Sequence, residues 1–352
     1  MMRTRGLGLD TGRPWYLVAV VGASSTGDDI ATPGPRTAAV AVVIPAYRVA
    51  SRIPDVVSRI PALVRWIYVV DDACPEGSGE KLRAVAGDPR VQVVLHERNQ
   101  GVGGATITGF RRALEDGADI VVKIDGDGQM DPAFLPELIA PLLKGEGDYA
   151  KGNRFWDLES LAAMPWGRLG GNSALSLVTK FSSGYWNMVD PTNGYVAIHR
   201  EALRRLPLDK ISRRYFFESD MLFRLYTVRA VVCDVAMPAR YGDERSALRA
   251  GAVIPEFLYK HARNLAKRLF YGYFLRDFSI ASVELVLGSL LLLWGISFGS
   301  LAWVRGAVHN EPASAGTVML AALPVILGVQ FLLSFLQFDY RNVPSQPLSA
   351  RR

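Results

Sequence analysis

The run Lys123-Ile124-Asp125-Gly126-Asp127-Gly128-Gln129 sets two carboxylates one residue apart between glycines. At the mouth of a buried strand, such a pair can share one hard divalent cation, and that cation would sit on the phosphates of a bound nucleotide. An Asp-Gly turn alone means little, but three other polar or glycine-rich runs accompany it. They are Pro45-Ala46-Tyr47, Asp71-Asp72 and Asn99-Gln100-Gly101-Val102-Gly103-Gly104-Ala105. Further on, Phe216-Phe217-Glu218-Ser219-Asp220 brings two carboxylates close to Arg213, Arg214 and Arg224. A carboxylate there is either a structural partner of those arginines or, at Asp220, an acceptor contact or general base toward a hydroxyl. Zinc chemistry is excluded. His96, His199, His261 and His309 have no ligand spacing, and Cys74 and Cys233 are the only thiols. Two thiols so far apart read as unpaired residues of a reducing compartment.

These runs need elements to hold them. Ala39 to Pro45, Trp66 to Val70, Val91 to Leu95 and Ile120 to Ile124 are short β-branched runs ending in turn residues. Helical stretches at Arg52 to Leu63, Gly79 to Val85 and Gly103 to Asp116 lie between them. Alternation of this kind predicts an α/β fold, a mostly parallel, doubly wound sheet. Ligands of such sheets bind beyond the carboxyl ends of the strands. The four chemistry-bearing runs fall at those ends.

The ordered set resembles family 2 glycosyltransferases of the GT-A fold over roughly Val42 to Ser279. It is most similar to polyprenyl-phosphate glycosyltransferases such as the dolichyl-phosphate mannose synthases. The resemblance implies that Asp125, Asp127 and Gln129 bind Mg²⁺ or Mn²⁺, and that Asp72, with Asp71 beside it, contacts the nucleoside. It also places Pro45, Ala46, Tyr47, Asn99 and Gly101 in the donor-binding set. The family's Gly-Ser-Arg phosphate element appears as Gly152-Asn153-Arg154, and its Asp-Pro-Thr-Ser-Gly-Phe element as Asp190 to Tyr195. Its basic-Ser element appears within Tyr241 to Ser246, with Arg245 and Ser246 as the matching pair. Where the family often continues Pro-x-Tyr with Asn-Glu, this chain has Arg48-Val49, which leaves the donor's base and sugar open.

The implied activity is inverting transfer of a sugar from a nucleotide-diphosphate sugar to a polyprenyl phosphate. The alternative is transfer to a saccharide hydroxyl. A cation on Asp125 and Asp127, with Arg154 or Arg245 nearby, would offset the charge of the departing pyrophosphate. A phosphate acceptor is already anionic and needs arginines but no base, whereas a hydroxyl needs a carboxylate base. Processive saccharide synthases carry Gln-x-x-Arg-Trp. The Arg65-Trp66 pair of this chain has Ala62 in place of the glutamine and lies too early. An inactive scaffold would have no need of the intact acidic set.

Composition points to a membrane. The 352 residues are 49% hydrophobic and 21% charged, which excludes a disordered chain. Ala281 to Val304 carries one charge, Glu284, and Thr317 to Phe338 carries none. Each is long enough to span hydrocarbon, so a transmembrane hairpin is predicted. The net charge of +6 matches the excess of thirteen basic over seven acidic residues between Lys210 and Asp277. Ile254 to Phe278 interleaves those charges with aromatics just before the first span, which fits a juxtamembrane amphipathic helix on anionic headgroups better than nucleic acid. Trp15 to Ala23 is only nine residues long and reads as part of a flexible tail, not a cleaved signal. The expected order is a tail (1–38), a GT-A domain (39–250), a juxtamembrane helix (251–279), a hairpin (280–340) and a cytoplasmic tail (341–352). A hairpin with so few polar groups has the surface to pack against copies of itself as a homo-oligomer.

Arg263, Lys267, Arg268 and Arg276 precede the hairpin and Arg341, Arg351 and Arg352 follow it, while Arg305 alone lies between the spans. The catalytic domain and both termini are therefore expected on the cytoplasmic face of the plasma (inner) membrane. An Asn310→Cys variant should react with a membrane-impermeant thiol reagent from outside intact cells. Labelling only after permeabilisation would reverse the orientation.

Overall fold

The computed structural model describes residues 38–85, 87–156, 166–238 and 250–351, with backbone alone at 166–169 and 250–253. The expected N-terminal tail and the Arg245-Ser246 element lie outside the described residues.

Seven strands form one sheet: β1 (Val40–Ala46), β2 (Val64–Asp71), β3 (Val91–Leu95), β4 (Ile120–Lys123), β5 (Tyr149–Asn153), β6 (Val196–His199) and β7 (Val232–Ala236). Their order is β3-β2-β1-β4-β6-β5-β7. β6 runs antiparallel to β4 and β5, and the other pairs are parallel. Six carboxyl ends and the amino end of β6 therefore share one edge of the sheet. The helices are α1 (Ile53–Ser58), α2 (Ser78–Val85), α3 (Val102–Glu115), α4 (Leu135–Leu143), α5 (Trp166–Ser183), α6 (Arg200–Arg205) and α7 (Phe217–Thr227). Helix α1 is shorter than the expected 52–63, ending at Ser58 with Arg59 as its cap, just ahead of Pro61, which disfavours helical backbone at the residue preceding it. The mostly parallel sheet stands, with β6 as the strand that breaks its direction.

Alternation along the strands divides the core. Val43, Val121 and Ile198 face α3 and α7, meeting Phe110 and Phe217, while Val42, Val122 and Ala197 face Val56 and Leu138 on α1 and α4. Helix α3 lies very close to the sheet, since a Cβ on Gly109 would come within 2.3 Å of Val43 Cγ1.

Beyond the sheet run α8 (Ala250–Phe270), a π-helical turn (Tyr271–Arg276), α9 (Ile280–His309) and α10 (Ala315–Arg341). Helix α8 has an inverted pattern: His261, Asn264 and Arg268 are buried, while Ile254, Leu258, Tyr259 and Phe270 are exposed. Arg268 thus turns into the protein and not toward headgroups, which corrects part of the sequence expectation. Helices α9 and α10 are long and apolar enough to cross a membrane, with mean hydropathies of 2.0 and 2.3. Glycines set their separation. A Cβ on Gly328 would meet the Leu292 nitrogen at 2.8 Å and the Gly288 oxygen at 2.9 Å.

After α10 the chain returns to the sheet domain. Arg229 Nη1 donates to the Asn342 carbonyl at 2.9 Å, and the Leu348 N–H donates to Asp148 at 2.8 Å. Leu348 lies in the α3/α7 core, 1% exposed. A hairpin whose two ends are fastened to one globular domain has both ends on that domain's side. Leu348→Ala should lower stability by about 2–5 kcal/mol, as for other core leucines, read as a fall in Tm in detergent. An unchanged Tm would mean that the segment is not docked.

Candidate active site

Strand β4 is apolar until Lys123, whose side chain is 1% exposed. Its Nζ donates to Asp125 Oδ1 at 2.7 Å, to the Gly194 carbonyl at 3.3 Å and to Glu218 Oε1 at 3.5 Å. Burial pulls the ammonium toward neutrality, but the two carboxylates outweigh it and hold Lys123 above its ordinary pKa. Asp127 follows on a turn through Gly128 (φ 78°), and its Oδ1 accepts the Gln129 N–H at 3.0 Å. Burial, reinforced by the charge of Asp125, raises the Asp127 carboxyl. Arg52 reaches the Asp127 carbonyl at 3.3 Å. Among the described residues, the carboxylates of Asp125, Asp127 and Glu218 lie around Lys123, with Arg52 on the Asp127 carbonyl. This donor set fits a divalent cation on Asp125 and Asp127. Among the described residues no cluster of three or more His, Cys, Asp or Glu could hold a metal ion by itself, so such a cation needs further oxygens from a ligand.

The antiparallel strand supplies the next wall. A Cβ on Gly194 would stand 2.5 Å from Lys123 Nζ and 2.8 Å from Asp125 Oδ2, so only glycine lets the ion pair close. Just before it, fully buried Asp190 takes Arg154 in a fork, Nε to Oδ2 at 2.7 Å and Nη2 to Oδ1 at 3.0 Å. Burial would raise Asp190, yet the guanidinium holds it below the usual carboxylate range. Lys151, buried one strand away, donates to the Asn193 carbonyl, and burial lowers its ammonium to about 8. Beside Arg154 opens a cavity of about 370 Å³ lined by Phe155, Leu177 and Val189 with Asn172, Ser173, Ser176 and Lys180.

The other expected residues serve different ends. Asp72 is 2% exposed, and its carboxylate accepts the N–H groups of Gln100 (2.8 Å) and Gly101 (2.7 Å) and contacts His96 Nδ1 at 2.8 Å. Asp71 accepts from the Cys74 and Gly79 nitrogens at 2.7 and 2.6 Å. Both carboxylates are engaged inside loops. Asn99 donates to the Asp72 carbonyl. The glycine run lies against the segment that precedes α7. A Cβ on Gly101 would lie 2.6 Å from the Arg213 carbonyl and one on Gly103 2.5 Å from that of Ser212, while the Gly104 N–H donates to the Arg213 carbonyl. The run seats the segment that leads into α7. Of Pro45, Ala46 and Tyr47, the first two are strand residues, and the Tyr47 ring is the exposed member at the edge.

Asp220 is corrected as well. It is fully buried and accepts from the Ser212 nitrogen (2.8 Å), Arg224 Nε (3.3 Å) and Asn264 Nδ2 (3.0 Å). Glu218, two residues earlier, points about 200° away around the helix and is the carboxylate that joins Lys123. Sequence reasoning missed the roles of Lys123 and Lys151. For Lys123 the available signal is a lysine ending an otherwise apolar strand, whereas Lys151 lies in the middle of β5 and carries no such signal.

Residues 41–206 match the sequence profile of glycosyl transferase family 2. The undecaprenyl-phosphate mannosyltransferase of Micrococcus luteus is 36% identical over 222 residues, 62% of this chain and 90% of that protein. The UDP-N-acetylglucosamine–dolichyl-phosphate N-acetylglucosaminyltransferase of Methanococcus voltae is 31% identical over 188 residues, 49% of this chain and 74% of that one. Glucosyl-3-phosphoglycerate synthase from Mycobacterium tuberculosis, solved with Mg²⁺ and UDP, shares the fold with a TM-score of 0.50 at 22% identity. The match covers 67% of this chain and 84% of that one.

Two substitutions separate scaffold from site. Asp220→Asn should cost roughly 1–3 kcal/mol of stability through its buried partners and leave Mn²⁺ affinity unchanged. Gly194→Ala should weaken Mn²⁺ binding by about 10–100-fold, measured calorimetrically with a nucleoside diphosphate present. The opposite pattern would exchange the roles assigned to Asp220 and to the Lys123–Asp125 pair.

Proposed function

This chain belongs to glycosyl transferase family 2 and is a glycosyltransferase, and from that membership we infer that it moves a sugar from a nucleotide-diphosphate sugar to a polyprenyl phosphate at a membrane surface. The observation that carries this reading is the cleft beside Arg154. It joins apolar walls at Phe155, Leu177 and Val189 to polar groups at Asn172, Ser173, Ser176 and Lys180, which suits a lipid with a phosphate head. The relatives named for undecaprenyl- and dolichyl-phosphate support it, as do two helices apolar enough to span a bilayer.

In this reading an acceptor phosphate oxygen attacks the anomeric carbon as the bond from that carbon to the donor's phosphate oxygen breaks, with inversion. A phosphate monoester has a second pKa near ~6 and is mostly dianionic at neutral pH, so no side chain has to remove a proton. In this reading Arg154, pinned by Asp190, pairs with the acceptor phosphate. Lys123 fixes the orientation of Asp125. Mg²⁺ or Mn²⁺ on Asp125 and Asp127, with Gln129 close by, would offset the charge developing on the leaving nucleoside diphosphate. Arg245 and Ser246 are assigned to the same phosphates on family resemblance. The positive flanks of the hairpin support a cytoplasmic orientation of the catalytic domain in this reading.

Transfer is tested by incubating membranes with radiolabelled nucleotide sugars, a polyprenyl phosphate and Mg²⁺ or Mn²⁺. The expected product is extractable into organic solvent and labile to mild acid. Asp127→Ala should reduce its formation by about 10² or more, and full activity of that variant in excess chelator would sink the metal assignment. Arg154→Ala should cost more than Glu218→Gln. If Glu218→Gln is inactive while Arg154→Ala stays near wild type, a saccharide hydroxyl is the acceptor and Glu218 its base.

A further inference from the structure

One carboxylate at the membrane end of the protein gathers hydrogen bonds from several elements. Asp339 follows the apolar run 317–338 in the last turn of α10 and is 1% exposed. Arg268 of α8 meets it in a fork, Nη1 to Oδ1 at 2.5 Å and Nη2 to Oδ2 at 3.0 Å. The Tyr273 hydroxyl, in the π-helical turn, donates to Oδ1 at 2.5 Å, and the Trp186 indole N–H, just past α5, donates to Oδ2 at 2.9 Å. Arg268 uses its Nε on the Phe181 carbonyl in α5 at 3.0 Å and lies 5.4 Å from the Tyr226 ring of α7. Five elements therefore converge on one guanidinium–carboxylate pair.

Stability alone does not call for such a pair, because apolar side chains of similar volume hold buried sites as well or better. A planar fork supplies something else. It fixes distance and angle together, and a helix displaced by one turn, about 5.4 Å, could not satisfy it. The same α5 that is tied to this pair through Phe181 and Trp186 lines the lipid-accepting cleft with residues 172–180.

We propose that Arg268 and Asp339, with Tyr273 and Trp186, form a positioning lock that holds the acceptor cleft at one height and tilt over the bilayer, where a lipid-borne phosphate can reach it. The proposal rests on the polyprenyl-phosphate reading above. A membrane-anchored acceptor offers its phosphate at headgroup depth only, whereas a soluble acceptor can approach a cleft at any height. The lock therefore matters for the first and not for the second.

The test compares Asp339→Asn, Arg268→Lys and Tyr273→Phe with wild type, using a long-chain polyprenyl phosphate in vesicles and a short-chain, water-soluble prenyl phosphate. Asp339→Asn and Arg268→Lys should raise KM or lower kcat for the vesicle acceptor by about tenfold or more, since ~1 Å of misplacement can cost up to 10²-fold. Their KM for the soluble acceptor and for the nucleotide sugar should stay within about twofold, by the same positioning argument. Tyr273→Phe keeps the ion pair and removes one hydrogen bond, so it should show a smaller effect of the same kind even if the charge variants fold poorly. Equal losses on both acceptors, or no loss on either, would overturn the lock. Amide hydrogen exchange of α5 in vesicles provides a readout independent of turnover, and it should accelerate in Asp339→Asn. If wild type uses neither prenyl phosphate, the functional reading falls, while unchanged exchange in the variant would remove the lock by itself.

Discussion

The ammonium of Lys123 lies inside the protein, and a buried charge is tolerable only when paired and hydrogen-bonded. Its partners come from three places: Asp125 from the turn after its own strand, Gly194 from the entry to the antiparallel strand, and Glu218 from α7. Each partner constrains its neighbourhood. Gly194 has to lack a side chain. Gly101 and Gly103 have to lack side chains so that the segment before α7 can lie against α3 and deliver Glu218. Asp72 has to tie down the Gln100 and Gly101 nitrogens so that this run keeps its shape. Features that look like separate motifs along the chain are conditions for one buried ion pair, which in turn aims the Asp125 carboxylate.

The same solution recurs wherever the protein joins parts that must not slip. Arg154 forks onto Asp190 at the cleft, and Arg268 forks onto Asp339 at the membrane end. In both, the carboxylate is essentially without solvent contact and the arginine spans two elements. Helix α8 shows why this is needed. It buries His261, Asn264 and Arg268 and turns leucines and aromatics outward, the reverse of a helix on a water-soluble protein. Such a helix is held to the domain by directed polar contacts.

Several sequence expectations met a different physical role. Asp71-Asp72 and Asn99 to Gly101 sit at strand ends, where ligands of such sheets bind. Short polar side chains at strand ends are equally suited to capping loop N–H groups, and here that use prevails. Asp220 and Glu218 could not be told apart from composition, since both are carboxylates on one helix near arginines. Only the way α7 rests on α3 and α8 decides which face is buried. Strands β5 and β7 carry weak signals, being five residues long and interrupted by lysine and glycine or by aspartate, and β6 is only four residues long.

The sequence by itself determined the features that depend on local pattern. These are the alternation of strands and helices over the first half of the domain, the acidic turn after β4, and two uniformly apolar helices long enough to cross a membrane. Periodicity and composition are properties of neighbours along the chain, so they are legible there. Tertiary structure decided the rest: the reversed direction of β6, the choice of Glu218 over Asp220, and the inward turn of Arg268. The meeting of Asp339 with residues 66 to 153 positions earlier is of the same kind. Each depends on which distant group neutralises a buried charge. That is set by the packing of whole elements and leaves no trace in the spacing of residues.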